Sequence, residues 1–363
     1  MSTRLLHIAP VRLRRQLLAG GAAADVPAVV QWMGAVQAQD YAGARWALGL
    51  RAKGATDATV ERAFDSGAIL RTHMMRPTWH FVAPQDIRWM QALTSPRVHA
   101  GSRSIYRKLE LDERVLAKGR MVFERALVDG AHLTRTELAA ALARAGIAVS
   151  GIRLAYLVMY AELEQVICSG PRRGRQFTYA LLADRVPPAP ALDPDEALAA
   201  LARRYFTSHG PATVRDFVWW SGLKVGDARL GIELAGAALD SAPRNGLTYW
   251  FAEGALSRSA QSRTRATGGA FLLPNYDEYL IAYRDRGTVA PRAGAVPARE
   301  LLPYHLVLDG RVVGSWRPRD TPRDVVLDIA PYQRLTRKDT ADIRAAAERY
   351  AHFLERTVTV PDI

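Results

Sequence analysis

One cysteine, Cys168, stands in 363 residues. A single thiol allows neither an internal disulfide nor a cysteine-built zinc site, and it suits a reducing cytoplasm. The eight histidines are scattered, and none falls in HExxH or another metal-ligand spacing. No run of about 18 apolar residues exists to cross a bilayer. The opening MSTRLLHIAPVRLRR lacks the apolar core of a signal peptide. GxGxxG, Walker and GxSxG signatures are also missing. Chemistry on this chain therefore falls to carboxylates, amides, histidines and water, and neither a metal nor a cofactor is expected.

What is abundant is arginine. The formal charge is +13 and the isoelectric point is about 10.1. Such a balance favours polyanions, with duplex nucleic acid first and an acidic membrane surface second. Only five of the 49 basic residues are lysine. That bias, with abundant alanine, is equally what GC-rich coding produces, so charge alone leaves both readings open. Hydrophobic residues make up 49% of the chain, enough for real cores, and the length implies two to four domains.

One pattern recurs three times: a helix, a second helix, then two short strands around a basic or glycine-containing loop. The first copy has helices over Val26–Val36 and Ala58–Ser66, then strands Ile69–Met75 and Thr78–Val82 joined at Arg76-Pro77. In the second, Thr134 and Glu137 form a capping box. Its second helix spans Gly151–Gln165, and strands 165–168 and 176–180 flank Gly170-Pro-Arg-Arg-Gly-Arg175. The third has helices over Pro211–Trp220 and Val225–Leu239, and a strand Leu247–Phe251. Helix, turn, helix and wing is the winged-helix plan, whose second helix can fill a major groove. Small packing modules of a protein-interaction scaffold carry the same grammar. The Pro- and Ala-rich stretch from Val186 marks a boundary. After about Gly254, strand-like runs appear at Ala270–Leu273, Tyr279–Tyr283, Tyr304–Leu308, Val312–Trp316 and Val325–Ile329, with Asp309-Gly310 as a hairpin turn. A helix over Thr340–Glu355 closes the chain. The expected class is α+β: three tandem winged-helix units over 1–115, 116–187 and 188–257, then a small β-barrel-like domain with its closing helix over 258–363.

Four segments could carry chemistry. Gln37-Ala-Gln39, followed by Asp40 and Tyr41, puts two amides two residues apart, so in an extended or frayed turn both could hold one water. An ordinary solvated helix end explains the spacing equally. Arg71-Thr-His-Met-Met-Arg-Pro-Thr-Trp-His80 gathers Arg71, His73, Arg76 and His80 on one hairpin, either as a DNA-contacting surface or as a wing whose Trp79 and Phe81 pack the core. Arg172, Arg173 and Arg175 crowd one tight loop, as a phosphate clamp or a solvated basic turn. Asp277 and Glu278 are paired acids, fit for acid–base work or for capping a turn and holding Arg284 or Arg286.

These segments together resemble the AlkZ/YcaQ group of winged-helix DNA glycosylases. The pieces that carry the resemblance are Gln37-Ala-Gln39, Arg71–His80, Ile167–Arg175, Gly210-Pro-Ala-Thr with Trp219-Trp-Ser-Gly222, Leu272-Leu-Pro-Asn-Tyr-Asp-Glu-Tyr-Leu280 and Asp309–Trp316. They stand in order along nearly the whole chain. The resemblance implies three winged helices cupped around duplex DNA, a β-barrel, and excision of bulky N7-alkylated purines, including crosslinked bases. It also implies a catalytic Gln-x-Gln or Gln-x-Asp motif. Gln37-Ala38-Gln39 matches the first form, and Asp40 lies one position too late for the second. Pro77 stands in the hairpin turn where the family more often has glycine.

The expectation is a monofunctional glycosylase acting on duplex DNA, with Gln37 and Gln39 as the catalytic residues. Arg71, His73, Arg76, His80, Arg172, Arg173 and Arg175 are its DNA-binding set. Without a lysine in any matching motif, strand cleavage through a Schiff base is not expected. A monomer in the cytoplasm, at the nucleoid, completes the reading. A non-catalytic winged-helix regulator or lesion-recognition factor is the alternative, and a membrane-surface or interaction scaffold is the third.

Overall fold

The computed structural model describes residues 7–256, 269–289, 304–321 and 323–361. The fold is mixed α and β. Three times a pair of helices leads into a hairpin: Val26–Met33 and Asp57–Asp65 before β2 (Leu70–Met74) and β3 (Thr78–Val82), Arg135–Arg144 and Arg153–Leu163 before β5 (Ile167–Ser169) and β6 (Thr178–Leu181), and Val214–Ser221 and Val225–Ala235 before β7 (Leu239–Arg244) and β8 (Leu247–Ala252). A third strand joins the first two hairpins: β1 (Ala35–Gln37) in the order β1-β3-β2, and β4 (Leu133–Thr134) in the order β4-β6-β5.

Local chemistry sets these boundaries. Asp25 accepts the Ala28 amide at 2.8 Å as N-cap of the first helix pair, with proline in the first turn. Gly34, at φ +81°, ends that helix, and a Cβ there would meet the Arg204 side chain at 2.7 Å. The expected helix to Val36 therefore stops at Met33, and Ala35–Gln37 becomes an edge strand instead. Thr134 and Glu137 make the capping box read in the sequence. Gly222, left-handed at φ +74°, stops the helix bearing Trp219 and Trp220.

The C-terminal region is a five-stranded sheet, β13-β12-β11-β10-β9. Its strands are β9 (Ala270–Leu273), β10 (Tyr304–Leu308), β11 (Arg311–Asp320), β12 (Val325–Pro331) and β13 (Val358–Thr359). β10 and β11 turn at Asp309-Gly310, both at positive φ, as the primed hairpin turn requires. Helix Arg337–Leu354 covers the sheet. The boundary expected near residue 257 lies outside the described residues. A second expectation fails: Tyr279–Tyr283 is not a strand, because Glu278–Ile281 forms a short helix capped by Asp277. A short apolar run does not distinguish strand from buried helix by periodicity, and here the Asp277 cap decides.

The first and last regions share one core. Trp46, on helix Tyr41–Gly49, donates its indole N–H to Leu272 O at 2.7 Å and packs on Tyr350 and Phe353. Trp316 donates to Leu273 O at 2.9 Å. Below them Val29, Val30 and Met33 are fully buried, each worth about 1.5–3 kcal/mol. A second core joins the β2–β3 hairpin to helices Pro194–Ser208 and Val214–Ser221 through Met74, Tyr205 and Trp220.

The two regions are also locked by charge. Arg51 and Asp277, both buried, pair through two bonds of 2.7 and 2.8 Å. Removing one partner leaves the other charge stranded. Asp277→Ala is expected to lower the free energy of unfolding by about 3–5 kcal/mol in denaturant titration. A loss below about 1 kcal/mol, the range of exposed pairs, means the lock is not structural.

Candidate active site

The Gln-Ala-Gln segment lies between two local stops. Gly34 ends the helix before it. Asp40 starts the helix after it, accepting the Gly43 amide at 3.2 Å and the Tyr304 hydroxyl at 3.1 Å. Asp40 is thus an N-cap, and a Cβ on Gly43 would come within 2.9 Å of its carboxylate.

Between these stops the main chain is held on both sides. Ala38 donates its N–H to Trp79 O at 2.7 Å. Its carbonyl accepts Arg71 Nε at 3.0 Å. Gln37 lies opposite His80 in the β1–β3 register, and its own N–H points away from β3 to Glu278 Oε1 at 2.8 Å. This is the non-hydrogen-bonded pair of an antiparallel ladder, whose side chains stand close on one face. The two amides then differ. Gln37 is buried, with Oε1 unmatched by any donor among the described residues. Gln39 is exposed, and its Oε1 lies 3.4 Å from the Trp79 amide.

His80 is fully buried beside Gln37. Its Nδ1 lies 3.1 Å from Thr78 O. A carbonyl only accepts, so Nδ1 carries the proton and Nε2 presents a lone pair, again unmatched. Burial, followed by the Arg76 charge, lowers the imidazole pKa to about 4. Glu278, on the far side, accepts Trp220 Nε1 at 3.0 Å through Oε2. His209 Nε2 stands 3.4 Å from the same oxygen, poorly aligned. Burial alone raises the carboxyl pKa, but His209, the Gln37 amide and His80 outweigh it and bring it below the ordinary value.

The other expected residues are dispersed. Arg71 and His73 face away from Gln37 and His80, with Trp79 between them: the Arg71 guanidinium lies 4.4 Å and the His73 ring 4.3 Å from its ring. His73 Nδ1 pairs with Glu162, tying the first hairpin to helix Arg153–Leu163. Both side chains are buried, not spread on a solvent-facing strand. Arg76, in the turn, stands 5.5 Å from the Trp219 ring, and its Nε and Nη2 have no hydrogen-bond partner among the described residues. Within the basic loop, Arg172 bonds Glu61 at 2.9 Å and its amide bonds Asp65. Arg173 bonds Glu137 at 2.7 Å. Arg175 is exposed and pairs with no carboxylate among the described residues. The acid pair also divides differently from the expected partners: Asp277 holds Arg51, and the Arg284 amide goes to Asp216. Glu278, read in the sequence only as one of a pair of acids, lies beneath Gln37 with Trp220 and His209. Its signal was present in the Asp277-Glu278 pair, but nothing in the spacing pointed across the chain to β1.

The family model described as "DNA glycosylase AlkZ-like" matches residues 30–353, from the helix before Gln37 to the last turn of the C-terminal helix. This chain belongs to the AlkZ-like family of DNA glycosylases. It is similar to an interstrand DNA cross-link repair glycosylase of Streptomyces sahachiroi, 27% identical over 337 residues, covering 84% of this chain and 85% of that protein. The solved structure of the DNA glycosylase AlkZ from the same organism superposes with a TM-score of 0.78 over 98% of each chain at 23% identity, a likeness of fold. DNA glycosylase activity, and DNA as substrate, are thereby assigned to the AlkZ-like chain.

The His80 shift has a sign that can be measured. An unfolded imidazole binds its proton near pH 6.5, whereas the folded one does so near pH 4. The unfolded chain therefore holds more protons between those values, and stability falls as pH drops through that window. From pH 7 to 5, His80→Gln should lose about 2 kcal/mol less stability than the unaltered chain, read from denaturant midpoints at the two pH values. His305, likewise lowered to about 4 by burial, titrates in both proteins and cancels. Equal pH slopes in the two proteins would falsify the neutral, buried state of His80.

Proposed function

We propose that this glycosylase hydrolyses the N-glycosidic bond of N7-alkylated purines in duplex DNA, including purines joined in interstrand crosslinks, with Gln37 and Gln39 as its catalytic residues. An N7-alkylpurine already carries positive charge, so the base leaves with little need for protonation. The C1′–N9 electron pair departs with the base and neutralises it, water oxygen bonds to C1′, and the water proton passes to solvent. What the protein must supply is a placed water and stabilisation of an oxocarbenium-like sugar, as in glycoside hydrolysis. Two carboxamides serve both needs with their oxygens. The observation that supports this is the clamping of Ala38 at both its N–H and its carbonyl, with Gln37 held at its own amide. The flanking amides therefore stand on a rigid main chain.

Three winged-helix units, bounded as the sequence suggests, would present this segment to the duplex. The repeated helix pair and hairpin support that reading. A monomer acting at the nucleoid in the cytoplasm, releasing the base without cutting the strand, completes it. The name of the Streptomyces relative supports crosslinked substrates.

Gln39→Ala is expected to slow single-turnover release of N7-methylguanine by about 10²–10³ while duplex affinity stays within about twofold, read from alkali-cleaved gels beside a binding titration. Release at the unaltered rate removes Gln39 from the mechanism. In the basic loop, Arg175→Ala should reduce the slope of log affinity against log salt by about 0.9, the value of one phosphate contact. Arg172→Ala should instead lower stability, since that side chain is engaged with Glu61. An unchanged slope for Arg175→Ala takes this loop away from the DNA.

A further inference from the structure

Two adjacent carboxylates, Asp277 and Glu278, are both buried to within 1% of full burial, yet their situations differ. Asp277 is neutralised by Arg51, one bond to each oxygen. Glu278 lies within 4 Å of no arginine or lysine among the described residues. Its contacts are the Gln37 amide at 2.8 Å, the Trp220 indole at 3.0 Å and His209 Nε2 at 3.4 Å. This anion is held by N–H donors and by the charge of nearby Arg76 rather than by an ion pair of its own, and a buried charge so held is costly. Its two oxygens each accept a different N–H, the Gln37 amide and the Trp220 indole, and a glutamine, with one acceptor oxygen, could take only one of them. Around it stand buried polar atoms with no hydrogen-bond partner among the described residues: Gln37 Oε1, His80 Nε2, and Arg76 Nε and Nη2. A fixed negative charge directly behind the Gln-Ala-Gln segment is what a reaction passing through a cationic sugar can use.

We propose that Glu278 is a positioning residue of the glycosylase: its carboxylate orients the Gln37 main chain and supplies, from behind that strand, the negative charge that the Gln-Ala-Gln motif itself lacks, stabilising positive charge as it develops on the deoxyribose. The inference rests on the reading that the reaction takes place at Gln37 and Gln39. No bond to Glu278 forms or breaks. Its action is electrostatic, through a low-dielectric interior in which a charge is felt over several ångströms. Arg76, His80, His209, Tyr205 and Tyr283 are the charged or titratable groups around it, and the Arg76 charge tunes how much of its field reaches the site. The Gln-x-Gln motif, with neutral amides in both positions, would then work with a borrowed anion brought from residue 278 by the fold.

The test uses binding as well as rate. Duplexes are prepared with one abasic analogue, either a pyrrolidine, whose ring nitrogen is cationic like the transition state, or a neutral tetrahydrofuran of the same shape. The unaltered protein should prefer the cationic duplex, and Glu278→Gln should reduce that preference by about tenfold or more while affinity for the neutral duplex stays within about twofold. Single-turnover release of N7-methylguanine should fall in parallel. A merely structural role would weaken both duplexes equally. If Glu278→Gln folds and keeps the full preference, the proposal is overturned, while the reading of Gln37 and Gln39 stands. If the unaltered protein shows no preference for the cationic duplex, both are overturned. Should the glutamine variant not fold, Glu278→Asp decides. It keeps the charge and should retain most of the preference, and indifference between the two duplexes in that folded variant overturns the proposal.

Discussion

The bond between the Gln37 amide and the Glu278 carboxylate joins residues 241 positions apart at 2.8 Å. An edge strand of three residues has little of its own to hold it. Its outward amide would otherwise need water or strain. By accepting that amide, a residue of the C-terminal region fixes the strand, and the strand fixes where two amide side chains begin. Arg71 completes the arrangement from the opposite side through the Ala38 carbonyl. The segment is thus held by one anion and one cation, neither of them in the motif.

This dependence explains why the regions are not separable beads. Trp46 reaches across to β9, Trp316 lies under Tyr350, and Arg51 pairs with Asp277 in the same wall. Each contact closes a long loop, and each brings Glu278 closer to a definite position under β1. The second hairpin is tied in by His73 and Glu162, with Gln91 donating to Thr72 Oγ1 and to the carbonyls of His73 and Glu162. Histidines and arginines that look like DNA contacts in a one-dimensional motif are in part the rivets between units. The loop arginines divide in the same way. Arg172 and Arg173 are engaged with carboxylates, and Arg175 is exposed.

Much of the plan was legible in the residues. The capping box at Thr134 and Glu137, the glycine stop at Gly222 and the Asp309-Gly310 turn all act through neighbours three or fewer positions away, and such effects survive without a fold. The repeated helix pair and hairpin follow from the same local rules. Where reading failed, it failed on competing local signals. Met33–Val36 continued an apolar helix pattern until Gly34 adopted positive φ. Tyr279–Tyr283 had the composition of a strand until Asp277 capped a helix turn.

Composition, period and caps are short-range quantities, and they set the recurring units, the amide pair two residues apart and the single cysteine. Long-range packing alone buries Gln37 and leaves Gln39 exposed, turns Arg71 inward, and gives Asp277 the Arg51 ion pair while Glu278 is held by N–H donors behind the motif. Those outcomes depend on which distant groups arrive within 3 Å, and side-chain charge and hydrogen-bonding capacity carry no label naming the partner they will meet.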